Sequence, residues 1–207
     1  MAVYIGIDPS MSGMGLAFVK DGSLRGLRLL TTKPNISGLG TTAACSVLRI
    51  RDMCSFLYGW LDDLSPDIVS VEEHTYNPKN RKSITSLGML QYAVLSTLLD
   101  IHGEFEVLLV RPKVRAKFAT GNGNSDKAQV VEAVNERWLK RRITNDNVCD
   151  AIVLAYLAKD YRENGGFDFS VTAVNKGNRF GGVYYHKDFD VSLLGRDHVK
   201  DFVFSSE

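Results

Sequence analysis

The first 32 residues constrain the fold more tightly than any other stretch of this 207-residue chain. Three β-rich runs follow one another: VYIGID at residues 3–8, GMGLAFVK at 13–20 and LRGLRLLTT at 24–32. Asp21-Gly22 separates the second from the third, a dipeptide that favours the positive φ angles of a hairpin turn. A meander of three antiparallel strands is therefore expected to open the domain. Residues 42–64 then place Val47, Ile50, Met53, Cys54, Leu57 and Leu61 at helical spacing, and Pro66-Asp67 stops the pattern. A buried-type strand at 68–71 ends in Glu72-Glu73. A second amphipathic helix spans 83–102, with Gly103 as its stop, and a further strand at 107–110 is closed by Pro112. Two more helices are read at 125–139, with Ser125 as N-cap, and at 147–161, with Asp146 or Asn145 as N-cap. Strands first and alternating helices and strands afterwards describe an α/β domain on a mixed central sheet of about five strands flanked by helices. From about Asn164 the chain changes character. It becomes rich in Gly, Asn and aromatic residues, with β-like runs at 170–174 and 182–185. Residues 1–163 are read as one domain and 164–207 as a β-rich C-terminal extension, suited to covering a sheet edge, extending a dimer contact or touching DNA.

A hydrophobic share of 44% and a charged share of 24% exclude wholesale disorder. Apolar stretches are short and interrupted, so no segment is expected to span a bilayer, and residues 2–19 lack the basic leader of a signal peptide. A cytoplasmic protein is expected. Cys45, Cys54 and Cys149 are odd in number and show no CxxC spacing, which implies neither a disulfide framework nor a zinc site. The formal charge of +1 conceals an uneven distribution. Residues 111–142 carry nine Lys/Arg against Asp126, Glu132 and Glu136, a local +6 that leaves −5 for the rest. A phosphate-binding face would produce such polarity, and so would a solvated basic helix.

Acidic residues stand where the chemistry of a phosphodiester would need them. Asp8 closes the first strand, Glu72 closes the fourth, and Asp146 and Asp150 flank the start of the last helix, four residues apart and on one face. Carboxylates gathered in this way repel one another unless a cation sits among them. Hard divalent ions prefer oxygen ligands, and a pair of them can clamp both the attacking and the leaving oxygen. Taken singly, each acid has a plainer role: Asp8 before Pro9 can start a turn, Glu72 can be an exposed strand end, and Asp146 can be a cap.

The set of segments is more specific than any of its acids. IGIDPSMSGMGLAFV, VSVEEHTYNPKN with SLGMLQYAVL, RPKVRAKFATGNGNSDKAQV and NDNVCDAIVLAYLA occur in one order. Together they resemble the RuvC-like Holliday junction resolvases of the RNase H-like superfamily, over roughly residues 2–160. That resemblance implies a metal-dependent endodeoxyribonuclease that cuts four-way junctions in branched DNA, leaving 5′-phosphate and 3′-hydroxyl ends. It implies two ions per site, Mg2+ or alternatively Mn2+. On that reading Asp8 would serve both ions, Glu72 and Asp150 with Asp146 would hold one each, and Asn147 would be a neutral oxygen donor beside them. Lys127 is expected to neutralise the phosphate near the scissile bond. Lys79, Arg81, Lys82, Lys113, Arg115 and Lys117 are expected to form a rim for the DNA backbone, and Asn122 and Asn124 a glycine-flanked loop against phosphate. Tyr76 is placed to stack on a base at the branch point. A homodimer is implied as well, matching the near two-fold symmetry of a junction, and the helix at 83–99 is apolar on more than one stripe.

Two features depart from the family pattern. Some members carry an acid or histidine three residues before the last aspartate; here that residue is Asn147, and Asp146 lies one step further back. The segment after Asn164 matches nothing in the family core. Three alternatives stay open from sequence: a nuclease of the same fold acting on flaps, forks or hybrids, a catalytically inactive DNA-binding relative, and an actin-like ATPase.

Overall fold

The computed structural model describes residues 2–32, 42–74, 81–164 and 183–186, with only the backbone described for residues 42, 81–84 and 183–186. Strands β1 (Val3–Asp8), β2 (Met14–Lys20) and β3 (Ser23–Leu30) form the opening meander, with Asp21 and Gly22 both at positive φ in the turn. Helix α1 (Thr42–Leu64) leads to β4 (Ile68–Glu72), and α2 (Arg81–Leu99) to β5 (Glu106–Val110). Three helices follow: α3 (Pro112–Thr120), α4 (Lys127–Trp138) and α5 (Asp146–Asn164). The strands are ordered β3-β2-β1-β4-β5, and β6 (Val183–His186) is added beyond β5. The β1–β4 and β4–β5 pairs are parallel; the others are antiparallel. The mixed sheet is thus the expected one, and part of the C-terminal extension covers its β5 edge. The β-like run at 170–174 lies outside the described residues.

Strand alternation sorts the core into two layers. Val3, Ile5, Ile7, Val69 and Val71 face α1 and α2, packing with Leu57, Leu61, Leu90 and Val94. Tyr4, Ala17, Val19, Ile68 and Leu108 face α5, packing with Ala151, Ile152, Leu154 and Ala155. The same alternation puts Gly6 and Asp8 on the α5 side of β1, and Ser70 and Glu72 on the α5 side of β4.

Two glycines set the distance between helix and sheet. A Cβ on Gly6 would collide with the Ala151 carbonyl oxygen, and one on Gly15 with the Asn147 carbonyl oxygen. Without side chains there, α5 lies directly on β1 and β2, and its first turn reaches the end of β1. Residues 112–120 form a helix between the strand that Pro112 closes and the helix expected from 125. Pro112 ends the strand but also serves as a first helical residue, needing no N–H partner, and Gly121 at φ 82 closes the helix in the left-handed region. Asp126 rather than Ser125 caps α4, through a reciprocal pair of bonds with Gln129. Asn145 caps α5, its Oδ1 accepting from Val148 N–H at 3.0 Å.

Cys45 and Cys149 are buried and Cys54 is half-buried. Among the described residues, no helix is long and apolar enough to cross a membrane.

Candidate active site

Asp8, Glu72, Asp146 and Asp150 converge at one end of the sheet. Register explains the first pair: Ile7 is opposite Val71 in parallel pairing, so the next residues, Asp8 and Glu72, leave adjacent strands on the same face. Close packing of α5 supplies the second pair. Asp8 is 7% exposed and Asp150 5%. Asp146, at the helix start, is more open, its side chain 34% exposed.

Among the described residues, two cations stand among the four carboxylates. Lys127, the first residue of α4, pairs with Asp146. Arg115, from the inner face of α3, lies between Glu72 and Asp150, with Nε 2.7 Å from Glu72 Oε2 and Nη1 in contact with Asp150 Oδ2. These Arg115 contacts are charge contacts, not aligned hydrogen bonds. Its Nε and Nη1, and Glu72 Oε2, are buried without a hydrogen-bond partner. Proximity makes the Coulomb attraction real, but the fork of the guanidinium is split between two acids instead of matching one.

Burial dominates the electrostatics. Loss of solvent pushes the Asp8 carboxyl up to about 8; the charge of Glu72 adds to this, Arg115 and Lys127 oppose it, and Asp146 raises it further. Glu72 is also raised, chiefly by burial, with Arg115 and Lys127 pulling the other way. Asp146 moves in the opposite direction, because its hydrogen bond to Lys127 favours the ionised form. The site therefore combines carboxylates that resist ionisation with one that is held ionised by a lysine.

The remaining expected residues divide. Asn147 lies at the site's edge, but its amide nitrogen donates to the Gly13 carbonyl at 2.6 Å and so ties α5 to the hairpin. Lys113 is exposed and Lys117 half-buried, both on α3. Asn122 and Asn124 occupy the exposed α3–α4 turn, where Asn122 Oδ1 accepts from Asn124 N–H at 3.0 Å. The side chains of Tyr76, Lys79, Arg81 and Lys82 lie outside the described residues. Arg115 requires a correction: it is 8% exposed and set among the acids, not on a solvent-facing rim. The missing inference was α3 itself. As a loop, Arg115 looks like one more cation beside Lys113 and Lys117; on a helix it shares the buried face with Ala119, one turn on.

Hard oxygen donors, a buried carboxylate oxygen without a hydrogen-bond partner and a strongly raised aspartate suit a divalent cation. Among the described residues no three His, Cys, Asp or Glu side chains are yet gathered closely enough to hold one. The Arg115 guanidinium stands where the approach would occur. The donor set thus fits such an ion in chemistry and burial, and Arg115 stands between two of its members.

A sheet ordered 3-2-1-4-5, with carboxylates closing its two central strands and a third group entering from the last helix, is an RNase H-like fold. Residues 4–157 match the family described as crossover junction endodeoxyribonuclease RuvC, and the chain belongs to that family. The RuvC of Mycolicibacterium vanbaalenii is 28% identical over 152 residues, covering 73% of this chain and 75% of the relative. That of Mycolicibacterium smegmatis is 26% identical over 152 residues, with 73% and 79% covered. Among solved structures, Thermus thermophilus RuvC in complex with a Holliday junction substrate superposes with a TM-score of 0.63 at 21% identity. The match covers 80% of this chain and 97% of that one, a likeness of fold.

Proposed function

We propose that this chain is a structure-selective DNA endonuclease that resolves four-way junctions by metal-ion-assisted phosphodiester hydrolysis. The observation that carries the reading is the convergence of Asp8, Glu72, Asp146 and Asp150 beside Lys127, in a chain of the RuvC family. Asp8, Glu72, Asp150 and Asp146 are the residues to hold the ions, two per site, Mg2+ or Mn2+. Divalent ions held there supply Lewis acidity to the phosphodiester and neutralise charge as it is cut.

The protein's own groups do the rest. Lys127 extends from the start of α4 with its side chain 73% exposed, so it can meet a phosphate oxygen while Asp146 holds it in place. Asp146, kept ionised by that contact, orients the lysine and contributes an oxygen. Lys113 and Lys117 on α3 and Asn122 and Asn124 in the α3–α4 turn would track the DNA backbone; Lys79, Arg81 and Lys82 would join them, and Tyr76 would stack on a base at the branch point. Such contacts position DNA without reading its sequence. Asn147 is assigned an anchoring role, with Asp146 the better candidate for the fourth ligand.

A homodimer would present two such sites to the two opposed strands of a junction. Its support is the outer side of α2, where Met89 is 41% and Tyr92 78% exposed while Leu90 and Val94 are fully buried. Residues 1–163 would make up the nuclease domain and 164–207 an extension.

The test is cleavage of an end-labelled four-way junction beside matched duplex and flap substrates. Wild type and Asp8→Asn would be compared with Mg2+ and with EDTA. Paired symmetric cuts that need metal and vanish in a variant that still binds DNA support the reading. Preferential cutting of flaps or hybrids would replace the substrate, and binding without any cleavage would overturn the proposed chemistry.

A further inference from the structure

We infer that Arg115 is an internal counter-ion that competes with divalent metal for Glu72 and Asp150, so that metal loading requires its guanidinium to be released. The inference rests on the reading of these acids as metal ligands. Four carboxylates converge, and among the described residues two cations, Arg115 and Lys127, are paired with them. Lys127 is largely exposed and serves Asp146, the most open of the four. Arg115 serves the buried side, bridging Glu72 and Asp150 while itself only 8% exposed.

Three features mark this contact as exchangeable. The guanidinium divides itself between two acids from different elements, β4 and α5, which is the span a metal would bridge. Its Nε and Nη1 make no aligned hydrogen bond, and neither does Glu72 Oε2, so the bridge depends on charge with little directional support. Finally, guanidinium and metal cannot both occupy it. Arginine does not lose its proton in proteins, so it leaves by movement, not by titration. Without metal, the bridge prevents two buried carboxylates from facing each other unpaired, a costly arrangement in a low-dielectric site. With metal present, the same bridge opposes binding.

Removing the guanidinium should therefore tighten metal binding. One unit charge taken from the immediate neighbourhood of a divalent ion corresponds to roughly a 10- to 100-fold change in affinity. Mn2+ titrated calorimetrically into DNA-free wild type and Arg115→Gln is expected to show the variant binding tighter by about that factor. A second measurement reads the wild-type protein directly and uses a charge-conserving variant only for assignment. In 15N-labelled wild type, the Arg115 Nε–H signal, identified by its loss in Arg115→Lys, should exchange slowly with solvent in EDTA. It should become fast-exchanging as Mg2+ saturates the site. Equal Mn2+ affinities in folded wild type and variant, or an Nε–H that stays protected at saturating Mg2+, would overturn the inference and leave the metal site standing. Absence of Mn2+ binding in both proteins would overturn the metal-site reading along with it.

Discussion

Replacing Asp8 by Asn should abolish cleavage and, in the absence of metal, make the fold more stable. Asp8 is 7% exposed and its carboxyl is pushed from an ordinary 3.8 up to about 8, first by burial and next by Glu72. A raised carboxyl means that the folded state binds the proton more tightly than the unfolded chain. Stability attached to this group is fully present below pH 3.8 and is lost as pH rises through about 8. At pH 7 the folded protein keeps the proton while the unfolded chain has released it, at a ceiling of roughly 4 kcal/mol. Adjustment of the neighbouring cations makes about 2–4 kcal/mol the working range. Asparagine fills nearly the same volume without the charge. For a chain of this size that gain corresponds to roughly 5–15 °C in Tm. The assay is thermal unfolding of both proteins in EDTA across pH 4 to 8. The variant's advantage should be small at pH 4, grow steadily, and level off near pH 8. Adding Mg2+ should raise wild type more than the variant, because only wild type keeps the full donor set. A variant no more stable than wild type at pH 7 in EDTA, or an advantage that does not shrink on acidification, would refute the argument from burial.

The close approach of α5 can be tested through its glycines. Gly6→Ala or Gly15→Ala would force helix and sheet apart, lowering stability by about 1–3 kcal/mol or more in urea unfolding and reducing cleavage because Asp146 and Asp150 move with the helix. Asn147→Asp replaces the donor to the Gly13 carbonyl with a second acceptor; a loss of roughly 1–3 kcal/mol is expected, and an unchanged midpoint would remove the anchoring role. Lys127→Ala should lower junction cleavage on the order of 100-fold in single-turnover assays while leaving the unfolding midpoint nearly unchanged, since the side chain is 73% exposed. Chelation with EDTA should abolish cleavage by wild type, and excess Mg2+ or Mn2+ should restore it.

Much of this was legible in the chain alone because it is local. Strand alternation puts Asp8 on the face of Gly6 and Glu72 on the face of Ser70, and four-residue spacing aligns Asp146 with Asp150. The opening meander, both long helices and the last helix follow from periodicities within a dozen or so residues. The edge role of residues 183–186 was open among alternatives, because pairing to β5 is a long-range choice.

What the tertiary structure decided depends on residues far apart in sequence. Arg115 reads as a rim cation until α3 is seen as a helix and its inner face is found against Glu72 and Asp150, 43 and 35 positions away. Asn147 could offer an oxygen by spacing; that its amide nitrogen also donates to the Gly13 carbonyl, 134 positions away, is a long-range fact no spacing gives. Gly6 and Gly15 look like ordinary strand glycines, yet they let α5 lie against the sheet and carry its acids to Asp8. Sequence periodicity settles which way a side chain points from its own element. Which charge it then meets is a property of packing between elements, and that is how Arg115 came to stand between Glu72 and Asp150.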